Sequence, residues 1–299
     1  MTAGAAGTAP APIRLDLALL PAALRDLSHP PAGLWCLGDP AVLSEGQFVA
    51  IVGTREASAY GERTAARLAA ACARVGLVVV SGMARGIDAA AHRAAMAAGG
   101  RTIAVQGTGV DVPYPAGHRA LHAAIQAQGA VVSEVPPGTL AFPGCFPRRN
   151  RIIAALARVT VVVEAGFKSG AINTASQALE LGRSVAAVPG QIDDPRAAGS
   201  NILIRDGAHV ITDVEDLLTT FGLSTGLGTE NTSQVQQIGG DPDSPDGRVL
   251  VAVGRGLWSV EAIAAEAGLS TSQTAESLLR LELFGLVGRS REGYRRAGG

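Results

Sequence analysis

Residues 159–181 read VTVVVEAGFKSGAINTASQALEL, an apolar run that passes through a glycine loop into a segment with helical spacing. The run predicts a buried strand over Val159–Ala165, and the segment after the loop predicts a helix over Ala171–Leu181. The loop carries Lys168, the single lysine among 25 basic residues. Strand, loop and helix in this order predict one unit of a parallel α/β sheet.

The same alternation extends through most of the chain. Further strands are predicted at Phe48–Gly53, Leu77–Gly82, Thr102–Gly107, Ala130–Val135, Ser184–Pro189 and Ala208–Ile211. Further helices are predicted at Gly61–Val75, Ile87–Ala98, Gly117–Gln128, Arg149–Leu156 and Val214–Phe221. Continuous apolar strands between helices indicate a doubly wound α/β fold, with a mostly parallel sheet covered on both faces. Ligands of such sheets bind beyond the carboxyl ends of the strands.

Four segments are predicted along the chain. Residues 1–47 form a short N-terminal segment, with a disordered Ala-, Gly- and Pro-rich tail at 1–12 and short helical and turn segments at 13–47. Residues 48–222 form the α/β domain, and residues 223–247, rich in Gly, Ser, Thr, Asn and Asp, form a flexible linker. Residues 248–297 predict a winged helix, with helices at Arg248–Val253, Val260–Ala267 and Thr271–Phe284, a capping box at Ser270–Gln273, and a hairpin of Gly285–Arg289 and Gly293–Arg296.

The composition of the chain indicates which kinds of protein it can be. A chain that is 47% hydrophobic and 17% charged is expected to bury a substantial core, and its net charge of −1 requires any nucleic-acid surface to be a local patch. The three cysteines are odd in number and form no CxxC pair, so we predict no zinc site and no disulfide framework, as fits a reducing cytoplasm. No apolar run approaches 18 residues, so no membrane span is expected.

The densest basic cluster, FPRRNR at 146–151, predicts contact with single-stranded nucleic acid. Arginines neutralise phosphates, and the face of Phe146 can stack on an unpaired base. Acidic residues are absent between Val135 and Val163, so no local ion-pair partners are expected. The candidates in this cluster are Phe146, Arg148, Arg149, Asn150 and Arg151.

Three loops at strand ends are predicted to bind phosphate. Glycines allow close backbone approach, and helix N-termini offer free N–H groups. The candidates are Gly53, Thr54 and Arg55 in the first loop, Ser81, Gly82, Arg85 and Gly86 in the second, and Lys168, Ser169, Gly170 and Asn173 in the third. A tight turn without a ligand is the alternative for the first loop. Asp88 and His92 are interpreted as structural, and Glu164 as a scaffolding carboxylate or a general base.

Several chemistries are not predicted. The loops contain neither GxGxxG nor a Walker A sequence, so no dinucleotide or ATP cofactor is expected. Ser81 lacks the GxSxG setting of a nucleophile and has no base partner nearby in sequence, so no catalytic residue is assigned. The loop around Tyr114, GTGVDVPYP at 107–115, is interpreted as architectural, with Tyr114 at its rim.

These motifs resemble the DprA/Smf family (DNA-processing protein A). The resemblance rests on AIVGTR (50–55), SGMARGIDAAAH (81–92), TIAVQGTGVDVPYP (102–115), FPRRNRIIA (146–154), VVVEAGFKSGAINTA (161–175), VPG (188–190) and SNILIRDGA (200–208), which nearly span residues 48–212. It implies an extended Rossmann domain that binds single-stranded DNA, forms a homodimer and helps to load RecA, in natural transformation or DNA repair. Carried over by position, the resemblance implies DNA contacts for Arg55, Arg85, Phe146, Arg149, Asn150, Arg151 and Lys168, supported by Ser169, Gly170 and Asn173.

The chain also departs from the family pattern. Many members carry a longer helical N-terminal domain, whereas about 47 residues precede the first strand predicted here. The third helix of the winged helix carries Glu276 and Glu282 but only Arg280 as a basic residue, which is poor for reading a major groove. We therefore predict a protein-contact or auxiliary role for that domain, with Arg289, Arg291, Arg295 and Arg296 as its basic patch.

Two other functions are considered. A nucleotide-cleaving hydrolase of the lysine-decarboxylase-like family would resemble PGGxGTxxE at the third loop, where this chain reads EAGFKSGAINTA. A winged-helix transcription regulator would prefer a duplex site, which the acidic third helix disfavours.

Overall fold

The computed structural model describes residues 11–44, 46–223, 243–283, 286–290 and 293–296. The chain divides between Leu223 and Ser224 into two compact units. In the larger unit the described residues form a nine-stranded sheet in the order β1-β2-β6-β5-β4-β3-β7-β8-β9. Its strands are β1 Ile13–Asp16, β2 Gly33–Gly38, β3 Phe48–Val52, β4 Val78–Ser81, β5 Thr102–Gln106, β6 Ala130–Ser133, β7 Val159–Val162, β8 Ser184–Ala187 and β9 His209–Val210.

Helices connect and cover these strands. They are α1 Ala22–Arg25, α2 Ala59–Arg74, α3 Ile87–Ala97, α4 Arg119–Gln128, α5 Cys145–Leu156, α6 Gly170–Glu180, α7 Ala198–Arg205 and α8 Val214–Thr219. Short 3-10 helices occupy Leu17–Leu19, Pro40–Leu43 and Ala116–His118. Strands β3 to β9 run parallel, while β2 pairs antiparallel with β6 and β1 antiparallel with β2, which confirms the mostly parallel sheet.

Both faces of the sheet are buried. In β3, Ala50 and Val52 pack into a core with α5 and α6, while Val49 and Ile51 pack into a second core with α2 and α3. The strand order reverses at β3, since β4 pairs on one side and β7 on the other. The crevice beyond the carboxyl ends of β3 and β7 is therefore the topological switch point, where open α/β sheets bind ligands.

The helical and turn prediction for residues 13–47 is wrong in two places. β1 and β2 are strands, and Trp35 pairs with both Arg14 and Ser133, so they extend the sheet beyond β6. Leu34 and Cys36 are fully buried, and this short strand is apolar on both faces. It therefore lacks the period-2 alternation that identifies a half-buried strand. The sequence prediction also omitted α7.

The described part of the smaller unit contains α9 Pro245–Gly254, α10 Val260–Ala267, α11 Thr271–Leu283 and the antiparallel hairpin β10 Val287–Ser290 with β11 Gly293–Arg296. Helices followed by a hairpin confirm the predicted winged helix. The capping box is present, since Gln273 N donates to Ser270 Oγ (3.2 Å) and Ser270 N donates to Gln273 Oε1 (3.1 Å). The predicted tail and linker fall largely on residues 1–10 and 224–242, which lie outside the described residues, as does Arg291.

Within the described ranges, no helix is long and apolar enough to cross a membrane.

Candidate nucleic-acid interface

The first predicted loop, Gly53–Arg55, is a tight turn held by its neighbours. Thr54 N donates to Glu164 O (2.7 Å) and Thr54 O accepts from Ile87 N (3.3 Å), so the backbone polar groups of this residue are used inside the protein. Gly86 has a φ of +72°, and a Cβ there would collide with Thr54 O. This close approach joins the first and second loops and leaves the Arg55 side chain exposed.

Two N–H groups of the second loop donate to the side chain of Asp88 and so are not available to a phosphate. Gly82 N (3.1 Å) and Ala84 N (3.3 Å) both donate to Oδ2 of the buried Asp88. The hydroxyl of Ser81 donates to Ile51 O at 2.6 Å. Ser81 and Gly82 therefore shape this loop from within, and its exposed cation is Arg85.

Arg149 lies inside the protein rather than on its surface. Only 7% of the residue is exposed, and its Nη1 donates to the carbonyl oxygens of Gly82 (2.8 Å) and Val105. Burial lowers the pKa of Arg149 to about 10, so it remains a cation at neutral pH. Burial raises the pKa of Asp88, while the charge of Arg149 acts in the opposite direction. Through its bond to Gly82 O, Arg149 joins α5 to the loop that carries Arg85.

The other two arginines of the cluster share one carboxylate. Arg148 Nε lies 3.1 Å from Glu134 Oε2, and Arg151 Nη2 lies 2.7 Å from Glu134 Oε1. The expectation that these arginines have no local ion-pair partner is therefore wrong, because Glu134 lies just outside the acid-free stretch and β6 ends beside α5. Arg148 stays largely exposed and Arg151 is half-buried.

Asn150 and Asn173 tie α5 to α6. Asn150 Nδ2 donates to Asn173 Oδ1 (3.0 Å) and to Gly170 O (3.2 Å). Asn173 Oδ1 also accepts from Gln177 Nε2 at 3.3 Å. These amides fix the position of the third loop relative to the basic cluster.

The third loop presents two exposed side chains in front of a capped helix. Ser169 is the N-cap of α6, and its hydroxyl accepts from Ile172 N at 3.4 Å. Lys168 is exposed and forms no ion pair with the described residues. Phe167 beside it is 62% exposed.

An aromatic cavity of about 470 Å³ opens beside the first two loops. Tyr114 and Phe146 form one wall, with ring centroids 4.9 Å apart and planes tilted by 34°. The Arg55 guanidinium carbon lies 5.6 Å from the centroid of the Phe146 ring. The lining residues are Arg55, Gly82, Ala84, Arg85, Tyr114, Pro115, Gly117, His118, Phe146 and Arg149. The cavity thus combines a flat apolar wall with cationic groups.

A second cleft of about 430 Å³ adjoins the first and shares Arg55 and Arg85 with it. Its lining residues are Gly53, Thr54, Arg55, Glu56, Arg85, Ser169, Gly170 and Ala171. The structure thus brings the predicted candidates of all three loops to one edge of the sheet. The loop candidates that line these two cavities are Gly53, Thr54, Arg55, Gly82, Arg85, Ser169 and Gly170. From the basic cluster, Phe146 and the buried Arg149 line the aromatic cavity, whereas Arg148, Asn150 and Arg151 line neither cavity.

Sequence reasoning missed two residues of this surface. His118 lines the aromatic cavity, and its Nδ1 lies 3.0 Å from Met83 O. Glu134 places a negative charge among the arginines. The signal for His118 is its position at the start of the predicted helix Gly117–Gln128, directly after the loop interpreted as architectural.

His92, below this surface, makes the stability of the fold depend on pH. Burial lowers its pKa to about 3, its Nδ1 lies 2.7 Å from Thr102 Oγ1, and its Nε2 is buried without a partner. In the unfolded chain the imidazole of His92 takes up a proton near its ordinary pKa of 6.5. In the folded protein it takes up that proton only near pH 3. Stability from this residue is therefore complete above pH 6.5 and is lost as the pH falls towards 3.

We expect His92→Gln to flatten the fall of unfolding free energy between pH 6 and pH 4 by up to about 1.4 kcal/mol per pH unit. Urea unfolding of both proteins at several pH values measures this slope. The exposed His29→Gln variant controls for loss of a histidine in general. Parallel stability curves for wild type and His92→Gln would show that His92 is not the titrating group.

Comparison with known proteins gives a consistent assignment. A family model described as DNA recombination-mediator protein A matches residues 14–222, and one described as DprA winged helix domain matches residues 236–293. The chain is 43% identical over 276 residues to the putative DNA processing protein DprA of Mycobacterium tuberculosis (strain CDC 1551), covering 88% of this chain and 68% of the relative. It is 37% identical over 285 residues to Protein Smf of Escherichia coli (strain K12), covering 94% of this chain and 76% of that protein.

Solved structures of similar proteins support the same family. The chain is similar to DNA processing protein A from Streptococcus pneumoniae, with a TM-score of 0.66 and 38% identity over 69% of this chain and 73% of that chain. It is also similar to DNA processing protein A from Helicobacter pylori, described for its single-stranded DNA binding mode, with a TM-score of 0.64 and 30% identity over 70% of this chain and 95% of that chain.

Proposed function

The chain belongs to the DNA recombination-mediator protein A (DprA/Smf) family, and on that basis we propose that it binds single-stranded DNA along the two adjoining cavities of the larger unit. The observation that carries this proposal is the aromatic wall of Tyr114 and Phe146 beside Arg55 and Arg85. Bases stack on the rings while the guanidinium groups and Lys168 neutralise phosphates. A duplex keeps its bases paired and gains nothing from the rings.

The resemblance to the family supports a wider role. The protein acts as a recombination mediator in the cytoplasm, as a homodimer that protects single-stranded DNA and helps to load RecA, in natural transformation and DNA repair. It works by binding and has no catalytic step of its own. The chemistry of the described site fits this view, because Ser81 donates to a backbone carbonyl and both oxygens of Glu164 accept hydrogen bonds from Ser58.

Binding of a fluorescent single-stranded oligonucleotide, with matched duplex as competitor, tests the proposal. We expect salt-sensitive binding that the duplex competes poorly, because phosphate contacts dominate the affinity and unpaired bases add stacking. Lys168→Glu should weaken it. Equal competition by single strand and duplex would exclude the stacking mode. No binding by the wild-type protein would reject the proposed function.

Phe146→Ala is expected to weaken single-stranded DNA binding by about 1–3 kcal/mol, the usual effect of removing a stacking platform. Its ring is half-buried against Tyr114, so the loss comes from the exposed face rather than from the core. Fluorescence anisotropy at fixed salt gives the affinity. Tyr60→Ala removes an exposed ring elsewhere on the sheet edge and is the matched control. Equal losses in both variants would argue against a specific stacking position.

A further inference from the structure

A third cavity, of about 600 Å³, lies at the same edge of the sheet but apart from the DNA surface. It is bounded by the start of α2, the end of β7 and the loop after β8. The lining residues are Ser58, Ala59, Tyr60, Glu164, Pro189, Gly190, Gln191, Asp194, Arg196 and Ala197, none of which lines the two cavities assigned to DNA. Its volume is typical of a small-molecule site.

A buried carboxylate forms one side of this cavity. Glu164 is 5% exposed, and its Oε2 accepts from Ser58 N at 2.9 Å while its Oε1 accepts from the Ser58 hydroxyl. A carboxylate offers about four acceptor positions, so about two remain. Gly61 has no side chain to cover the group, and a Cβ there would collide with it. The cavity therefore presents spare acceptors to a ligand that donates hydrogen bonds.

The opposite wall is fixed in place. Asn201 binds Gly190 in both directions, since its Oδ1 accepts from Gly190 N and its Nδ2 donates to Gly190 O, each at 3.1 Å. Gly199 N donates to Ala165 O at 2.7 Å, which joins α7 to the loop after β7. Tyr60 OH donates to Pro189 O at 3.3 Å across the opening. These contacts make a preformed cavity rather than a gap between loose loops.

The charges and the ring select the class of ligand. Arg196 is held by Asp194, with Nη2 to Oδ2 at 2.8 Å and Nε to Oδ1 at 3.0 Å, so its charge is compensated. Glu164 leaves the lining net negative, which disfavours a phosphate. Tyr60 is 46% exposed and offers a ring for a planar group. In dinucleotide-binding Rossmann folds, an acidic side chain accepts a hydrogen bond from the ribose 2′-hydroxyl, so a carboxylate can serve this purpose in a related sheet.

We propose that this cavity binds an uncharged ribonucleoside, whose ribose hydroxyls donate to Glu164 and whose base lies on Tyr60. The site is separate from DNA binding and does not depend on the proposed function. The ligand fits the volume of the cavity, the spare acceptors of Glu164 and the exposed ring of Tyr60. The negative charge of the lining favours it over a nucleotide or a DNA strand, both of which carry phosphates.

Isothermal titration of the full chain with adenosine, guanosine, cytidine and uridine tests the proposal. At least one is expected to bind, and its 2′-deoxy and 5′-monophosphate forms are expected to bind about tenfold more weakly or worse, because a hydrogen bond to a charged group is lost or a repulsive charge is added. Saturation with a single-stranded oligonucleotide should leave nucleoside binding unchanged.

Two variants locate the site. Tyr60→Ala and Glu164→Gln should each reduce nucleoside binding at least about tenfold, while Tyr114→Ala, which removes a ring from the aromatic cavity, should not. Tyr60 is on the surface, so its variant is the one expected to keep the wild-type melting temperature. No binding of any ribonucleoside by the wild type would overturn the proposal. Equal binding of the 2′-deoxy form, or loss caused by Tyr114→Ala or by oligonucleotide, would also overturn it.

Discussion

Arg149→Met is expected to lower the free energy of unfolding of the larger unit by about 3–5 kcal/mol, the usual cost of leaving a buried charge uncompensated. The substitution keeps most of the side-chain volume. It removes the donor to Gly82 O and Val105 O and the compensating charge for Asp88. Chemical denaturation followed by circular dichroism measures the change.

The double variant Asp88→Asn/Arg149→Met is the control. If the loss in Arg149→Met arises from an uncompensated Asp88 charge, the second substitution should recover part of the stability. Arg148→Met, a neighbour on the exposed side of α5, should cost much less. If Arg149→Met keeps wild-type stability but loses DNA affinity, Arg149 contacts DNA directly, as the family resemblance implied.

Arg55→Gln/Lys168→Gln is expected to reduce the slope of log affinity for single-stranded DNA against log salt by about 1.4, since each phosphate contact to a single strand contributes about 0.7. With the affinity at 1 M salt unchanged, the same relation makes the affinity at 0.1 M salt about 25-fold lower. Both side chains are exposed at the edge that holds the three loops. Anisotropy titrations over a range of salt concentrations give both quantities.

Arg74→Gln is the matched control for this charge removal. Arg74 is exposed at the end of α2, at the opposite edge of the sheet from the three loops. It should change neither slope nor affinity beyond the effect of net charge. The double variant could instead weaken binding without changing the slope of log affinity against log salt. Arg55 and Lys168 would then shape the DNA surface without contacting phosphates.

Much of this architecture is predictable from the chain. The strand, loop and helix pattern placed β3 to β9 within a few residues, because buried parallel strands are continuous apolar runs bounded by glycines. The convergence of the three loops followed from the same pattern, since parallel strands end at one edge. Strands β1 and β2 could not be found this way. β2 pairs with β6, about a hundred positions away, and β1 pairs only with β2.

The arginine cluster shows that residue type alone does not predict which side chains are exposed. Arg148, Arg149 and Arg151 look alike in sequence, yet Arg149 lies three and four residues before the buried Ile152 and Ile153, on the inner face of α5. Arg148 and Arg151 are three apart on the other face and meet Glu134. Helical spacing distinguishes them once α5 begins at Cys145. The sequence prediction began that helix at Arg149, which left Arg148 outside it and hid the face that Arg148 shares with Arg151.

Glu134 also sets what a DNA phosphate would have to displace at the arginines of α5. Arg148 and Arg151 already share this carboxylate. A phosphate bound to either arginine would therefore replace one anion by another, and its release would leave the arginines paired again. Under the proposed function, we expect such an exchange to favour short residence of the strand over storage.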